Sequence, residues 1–104
     1  MFVYEVRIEL PDAETRDEVL GWLENDHLNE VVEAGAASGE ATVLDGDGHV
    51  IVCRYVFASR EAFAAYEAGP AEALRADGRA RLAPERGIRA SRQMGDVRLR
   101  RDRS

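Results

Sequence analysis

The clearest pattern of hydrophobic and polar positions lies at the start of the chain. Apolar side chains occupy every second position from 2 to 10 and alternate with mostly charged ones. A period of two is typical of a β-strand, because successive side chains point to opposite faces of a sheet. The pattern predicts a strand over 2–10 with one face against helices. Its second face is either hydrated or covered by a partner.

Hydrophobic positions then recur at helical spacing over 19–32. Asp12 is a candidate N-cap residue for this segment, and Gly35 is a candidate C-cap residue. Asn25 and Asp26 have low helix propensity, so we expect a kink or a short break near them. The segment contains the only Trp and one of the two His of the chain.

The remaining sequence predicts a hairpin, two short helices and a last strand. The boundaries between these elements are clear. The Asp-Gly repeat at 45–48 is typical of a tight turn, and Gly69-Pro70 interrupts a helical pattern. Ser59 is a candidate N-cap residue. The predicted strands are 41–44, 50–57 and 88–94, and the predicted helices run from Ser59 to Gly69 and from Ala71 to Leu82.

The element order β-α-β-β-α-β, with an extra short helix before the last strand, is the ferredoxin-like pattern. We therefore predict an α+β fold in which a four-stranded antiparallel sheet has its helices on one face. The run over 50–57 is apolar on both sides, because Val50, Val52 and Val56 alternate with other apolar residues. A partly apolar open sheet face commonly packs on a second copy, so we predict a homodimer.

Length and charge limit the possible functions. The 104 residues predict one domain over 1–97 and an Arg-rich, disordered tail over 98–104. No apolar run approaches the roughly 20 residues of a membrane span. The sequence begins directly with the predicted strand, so we expect no signal peptide, a cytoplasmic protein and no membrane partner. The net charge of −6 argues against nucleic-acid binding. One further hypothesis is that the arginines of the tail bind acidic partners.

The sequence contains no convincing metal site. Cys53 is the only cysteine and lies in an apolar run, which favours a small buried hydrophobic residue over a nucleophile. Two histidines and one cysteine give no recognised ligand spacing, so we predict no metal and no cofactor. A haem group would need His27 as its axial ligand, and we do not favour that interpretation.

His27 is the main candidate for chemistry. It lies four residues after Leu23 and four before Val31, so its side chain projects along the buried stripe toward the sheet. A neutral imidazole in that position is a candidate general acid or base. The alternative is a core histidine whose two nitrogens are satisfied by neighbouring groups.

Five further residues are candidates for a ligand-binding site. Tyr4 is on the apolar face of the first strand, and Tyr66 is on the buried face of a later helix. Trp22 is a core residue, a dimer anchor or a pocket wall. Arg54 and Arg92 lie among apolar neighbours in predicted strands, where an arginine needs a carboxylate or a bound anion. An internal ion pair is the interpretation that we favour for both arginines.

Several short segments match a known family. They are Trp22-Leu23, His27-Leu28, Glu30-Val31-Val32, Gly35, Tyr55, Ser59-Arg60-Glu61-Ala62, Tyr66, Ala73-Leu74-Arg75 and Ala90-Ser91-Arg92, together with the first six residues. On these segments the chain resembles the bacterial domain of unknown function 4286 family over roughly residues 1–95. It departs from that family at Pro70, where a His is frequent, and over 82–87, where the family has an aromatic-rich loop.

The resemblance implies membership of the dimeric α/β-barrel group. That group includes cofactor-free antibiotic-biosynthesis monooxygenases, muconolactone-isomerase-like proteins, polyketide cyclases and haem-binding proteins. It hosts several chemistries on one scaffold, so the resemblance implies a fold and a dimer without implying a reaction.

Two functions remain open from the sequence. The one that we favour is a small dimeric domain that binds a small molecule, or a partner, between its sheet and helices. The alternative is a cofactor-free monooxygenase, isomerase or cyclase acting on an aromatic or polyketide-like substrate. In that alternative His27 is the acid or base, and Tyr4 or Tyr66 donates a hydrogen bond. Arg54 or Arg92 then stabilises an anion.

Overall fold

The computed structural model describes residues 1–103, which form a four-stranded antiparallel sheet with its helices on one face. The strand order is β2-β3-β1-β4, so the predicted ferredoxin-like fold is confirmed. The strands are Phe2–Leu10 (β1), Ser38–Val43 (β2), His49–Phe57 (β3) and Arg89–Asp96 (β4). The helices are Ala13–Trp22 (α1), Leu28–Glu33 (α2), Arg60–Ala68 (α3) and Ala71–Arg81 (α4), with a π-helical turn at Leu23–His27 and a 3-10 turn at Pro84–Arg86.

The two central strands, β1 and β3, provide most of the core. Their antiparallel register places Phe2 opposite Phe57 and Ile8 opposite Ile51, and all four side chains are at most 1% exposed. Phe63 of α3 stacks on Phe2 with ring centroids 4.8 Å apart. Burying one such side chain contributes about 1.5–3 kcal/mol. The period-two pattern over 2–10 therefore has the predicted cause, because its apolar face packs under the helices.

The predicted helix starts are confirmed by their caps. Asp12 Oδ1 accepts a hydrogen bond from the Thr15 backbone N–H at 2.7 Å, and Ser59 Oγ accepts one from Ala62 at 3.1 Å. These bonds satisfy backbone donors that have no partner within their own helix. The predicted break at Gly69-Pro70 is also present, because it separates α3 from α4.

The structure corrects one local prediction and refines another. The strand predicted over 41–44 lies at Ser38–Val43, because pairing with β3 extends it through residues of low β propensity. A Cβ on Gly39 would lie 3.0 Å from the Tyr55 ring, so a glycine lets that ring pack on the β2 backbone. The kink or short break expected near Asn25 and Asp26 takes the form of a π-helical turn, so the helix changes its type there and continues.

Valines and charged residues share the sheet face opposite the helices. Val3 lies opposite Val56, and both are half-buried, as are Val50 and Val52. Three acids and three arginines surround them, namely Glu5, Arg7, Glu9, Glu40, Arg54 and Arg89. Strand β3 is thus apolar on both faces apart from His49 at its start and Arg54. None of the helices within residues 1–103 has the length and apolar character needed to cross a bilayer.

The residue after the last strand is hydrogen-bonded to the residue before the first strand. The Val97 N–H donates to the Met1 carbonyl oxygen at 2.8 Å, just after β4. Residues 98–103 are exposed and form neither helix nor strand. Ser104, the last residue of the predicted tail, lies outside the described residues. The division into a domain over 1–97 and a disordered tail stays a prediction.

Candidate functional site

A cavity of about 270 Å³ lies between the sheet and the helices. Its wall is mostly apolar and aromatic, with aliphatic side chains from β1, the π turn, α2 and α4. Its mouth lies between α4 and β4, where the lining residues Arg79, Ser91 and Arg92 are exposed. Of the six residues proposed from the sequence, five line this cavity, namely Tyr4, Trp22, His27, Tyr66 and Arg92.

The π-helical turn brings Trp22 and His27 to the same side of their helix. The Leu28 N–H donates to the carbonyl oxygen of Leu23, five residues back, so each residue lies almost above the fifth residue before it. In a regular α-helix, residues five apart are separated by roughly 140° around the axis. The two rings stack with centroids 4.5 Å apart and an angle of 25° between their planes.

Asp77 of α4 forms a hydrogen bond with Trp22, one of the two stacked rings. The Trp22 Nε1–H donates a hydrogen bond to Asp77 Oδ2 at 3.2 Å. Because Trp22 is only 6% exposed, its indole N–H needs a partner inside the protein. This bond joins α1 to α4 at the cavity wall.

His27 carries a neutral imidazole at pH 7. Burial lowers the pKa of His27 below its usual 6.5, and the Asp77 carboxylate opposes that shift. The Nδ1 atom is buried and has no hydrogen-bond partner within residues 1–103. The alternative of a core histidine with both nitrogens satisfied therefore does not describe His27, which retains an unused ring nitrogen.

Two phenols and a guanidinium from β1, α3 and β4 also line the cavity. Tyr4 on β1 and Tyr66 on α3 are both buried, and burial raises the pKa of Tyr66 to about 12, so its hydroxyl stays protonated at neutral pH. The Arg92 guanidinium lies 5.8 Å from the centre of the Tyr4 ring. Arg92 Nη1 donates to Glu67 Oε1 at 2.8 Å. The ion pair expected for Arg92 is therefore present, and its acid comes from α3.

Arg54 lies on the opposite face of the sheet, outside the cavity. It is exposed, and its Nη1 atom is 3.8 Å from Glu40 Oε1 on β2. The prediction that Arg54 contributes to the binding site is corrected by the strand period, since Arg54 shares its face with Val52, away from the cavity. Its hydrated ion pair explains the charge without a bound anion.

Cys53 forms part of the inner cavity wall. It is 1% exposed, and burial raises the pKa of its thiol to about 11. The thiol is therefore protonated at neutral pH, as a small buried hydrophobic residue would be.

Four charged residues near the cavity were not predicted. They are Glu67, Arg75, Asp77 and Arg79, and the two arginines lie one turn apart on α4, where they line the cavity. Charged side chains on a short helix normally indicate a hydrated surface, so no sequence signal marked them. Only the packing of α4 over the sheet brings them to the site.

A possible metal-binding group lies beside the Trp22–His27 stack. The ligand atoms of His27, Glu30 and Asp77 all lie within 4.8 Å of one another. Imidazole and carboxylate groups are ligands of Zn²⁺ and related ions. Asp77 Oδ2 already accepts the Trp22 hydrogen bond, and Glu30 is exposed. The sequence did not suggest this group because Asp77 belongs to a distant helix.

We expect His27 to titrate below pH 6.5 in the folded protein. Because its folded-state pKa is lowered, the unfolded chain binds the proton more readily, so stability falls as the pH drops below about 6.5. The stabilising contribution of the neutral His27 imidazole is complete above about pH 6.5 and is lost as the pH falls toward the folded-state pKa. A nuclear magnetic resonance titration of the imidazole protons measures the pKa of His27, and the signal that disappears in His27→Gln is assigned to that residue.

The same titration tests the role of Asp77. Asp77→Asn should lower the His27 pKa further, because it removes the negative charge that opposes the effect of burial. The control is Asp26→Asn, which removes an exposed acid from the π-helical turn that contains His27 and should change the pKa of His27 less. A midpoint at or above 6.5 in the unmodified protein would contradict this electrostatic description.

Several solved structures share the architecture of this chain. A dimeric ferredoxin-like protein from an uncultured marine organism has a TM-score of 0.77 and 12% identity, with coverage of 95% of this chain and 96% of its own. A second such protein, also from an uncultured marine organism, has a TM-score of 0.74 and 13% identity, with coverage of 99% and 100%.

A third similar structure contains a ligand. It is a Streptomyces coelicolor monooxygenase in complex with nanaomycin D, with a TM-score of 0.65, 17% identity and coverage of 97% and 92%. No family model and no curated protein matches the sequence. At these identities the similarity to solved structures shows the ferredoxin-like fold alone.

Proposed function

We propose that this protein is a small homodimeric domain that binds a small molecule between its sheet and its helices. The observation that carries the proposal is the cavity of about 270 Å³, with His27, two tyrosines and Arg92 on one mostly apolar wall. Ligand sites in proteins are typically concave, largely apolar and equipped with a few convergent polar groups. The cytoplasmic location predicted from the sequence is part of this proposal.

The resemblances support a ligand in this space. Trp22, His27 and Tyr66 are among the residues on which the sequence resemblance to the domain of unknown function 4286 family was based, and all three line the cavity, but no family model confirms that family. The Streptomyces coelicolor monooxygenase of the same fold was solved with a ligand. One fold hosts many activities, so these resemblances favour a binding site without naming its ligand.

Blocking the cavity tests the proposal. Gly78 lines the cavity on α4, and a Cβ added there meets no atom within 4 Å, so Gly78→Leu should fill the space without a clash. Gly21→Leu is the matched control, because Gly21 lies in α1, off the cavity, with equally open surroundings. Both changes should stabilise a helix by up to about 1 kcal/mol relative to glycine, so both variants should fold.

The probe for this test is 2-naphthol, titrated while amide resonances are recorded. Binding to the unmodified protein and to Gly21→Leu should shift residues of the cavity wall, whereas Gly78→Leu should lose at least ten-fold in affinity. Equal binding by all three proteins, or shifts confined to another surface, would contradict the cavity as the ligand site.

A second candidate function is a cofactor-free enzyme acting on an aromatic or polyketide-like substrate. The specific observation that favours it is the neutral imidazole of His27 on the cavity wall. Such a group can accept a proton from an acidic C–H or phenolic O–H group. The Tyr66 hydroxyl then donates a hydrogen bond to the enolate or phenolate, and Arg92 offsets its negative charge.

Deuterium exchange separates this enzyme from a simple binding domain. We expect the protein in D₂O to accelerate exchange of the acidic C–H groups of 2-tetralone, a neutral two-ring ketone, as followed by proton resonance. His27→Gln should reduce that acceleration at least 100-fold, the usual minimum for loss of a general base. The control is His49→Gln, because His49 lies outside the cavity. Exchange that is unaffected by His27→Gln would exclude His27 as the base.

The open sheet face supports the homodimer. Val3, Val50, Val52 and Val56 are half-buried in the single chain, and the charged residues around them are balanced in sign. A face of this kind can be covered by its own copy without an excess of like charge. Two of the structural neighbours are dimeric ferredoxin-like proteins.

Val52→Arg tests the dimer. Val52 lies in the middle of the sheet, opposite Arg7 and Thr42, so a second arginine there should place unpaired like charge in the interface. We expect the sedimentation mass to fall from two chains to one at micromolar concentration. Ala64→Arg, on the exposed side of α3, should remain a dimer. An unmodified protein that sediments as a single chain would contradict the proposal.

A further inference from the structure

The charge of the cavity wall is opposite to that of the whole chain. The chain has 20 acidic residues and 14 arginines, which gives a net charge of −6. Among the residues of 1–103 that line the cavity, Arg75, Arg79 and Arg92 are charged and none is acidic. A cavity with this wall attracts an anion even though the protein as a whole repels one.

The existing ion pairs compensate only part of this positive charge. Glu67 accepts hydrogen bonds from both Arg75 and Arg92, so one carboxylate is shared between two guanidinium groups. Arg79 forms no ion pair with any acid in residues 1–103. Asp77, two residues before Arg79, is held instead by Trp22 and Arg81. The mouth of the cavity therefore retains positive charge that a ligand can neutralise.

The uncharged part of the cavity wall is suited to a ring. Trp22 and Tyr66 contribute buried aromatic surfaces, and Val6, Leu74 and Leu82 contribute aliphatic ones. The volume of about 270 Å³ equals roughly nine water molecules, at about 30 Å³ each. A molecule of one or two rings fits that space. Its polar end would then lie at the mouth, beside Arg79 and Arg92.

We propose that the cavity binds a small aromatic carboxylate, with its ring against the aromatic wall and its carboxylate between Arg79 and Arg92. This inference rests on the proposed function, since it names the class of ligand for the same cavity. Arginine presents a planar pair of N–H donors that matches a carboxylate. Arg79 is the specificity-determining residue, because its guanidinium has no competing carboxylate within residues 1–103.

The test compares matched pairs of ligands that differ only in charge. Isothermal titration is carried out with benzoate, 1-naphthoate and 2-naphthoate, and with the corresponding neutral carboxamides. We expect the carboxylates to bind the unmodified protein at least ten-fold more tightly than the amides. Their affinity should fall as the salt concentration rises, because the charges at the mouth are solvent-exposed.

Arg79→Gln is the decisive variant. Since Arg79 is exposed and has no ion pair within residues 1–103, its loss leaves none of these residues unpaired and should not affect folding. We expect about a ten-fold loss of carboxylate affinity with little change for the amides. Arg16→Gln, which removes the same charge from α1 outside the cavity, should leave both affinities unchanged.

The outcomes separate this inference from the proposed function. If the amides bind as tightly as the carboxylates and Arg79→Gln changes neither, the anionic ligand class is wrong while the cavity remains a binding site. If no member of either series binds and 2-naphthol also fails to bind, both the inference and the proposed function are wrong.

Discussion

The rings of His27 and Trp22 stack on each other, and the candidate site depends on that contact. It requires the π-helical turn, because an α-helical turn would separate residues five apart by roughly 140°. It also requires Asp77, whose carboxylate accepts the hydrogen bond of the buried indole. The same burial lowers the pKa of His27 and keeps its imidazole neutral. A local change of helix type thus gives the cavity both an aromatic wall and its titratable group.

The cavity exists because α4 packs differently from α3. Helix α3 fills the core with Phe63 and Tyr66, whereas α4 faces the sheet with Gly78 and two arginines between half-buried leucines. Close packing normally fills such space with large apolar side chains. Here polar contacts hold α4 in place, through the Trp22–Asp77 hydrogen bond and the Arg75–Glu67 ion pair. A space therefore remains under α4, and it is the site that we propose for a ligand.

The sequence predicted the features that depend on local pattern. The alternation over 2–10, the caps at Asp12 and Ser59 and the break at Gly69-Pro70 correspond to observed elements, because each is decided by neighbouring residues. The start of β2 was misplaced, since pairing with β3 overrides the low β propensity of Ser38-Gly39-Glu40.

The site was only partly predictable for the same physical reason. His27, Trp22 and Tyr4 belong to strongly periodic segments, so the direction of their side chains could be predicted from the spacing of the apolar residues. Asp77 and Arg79 reach the cavity only through the placement of α4, which depends on contacts between distant segments.

Nuclear Overhauser effects between the Trp22 and His27 rings test the central contact most directly, and the single tryptophan makes the assignment unambiguous. We predict cross-peaks between the two rings and upfield-shifted His27 protons. Absent cross-peaks with unshifted His27 protons would contradict the arrangement on which the site depends.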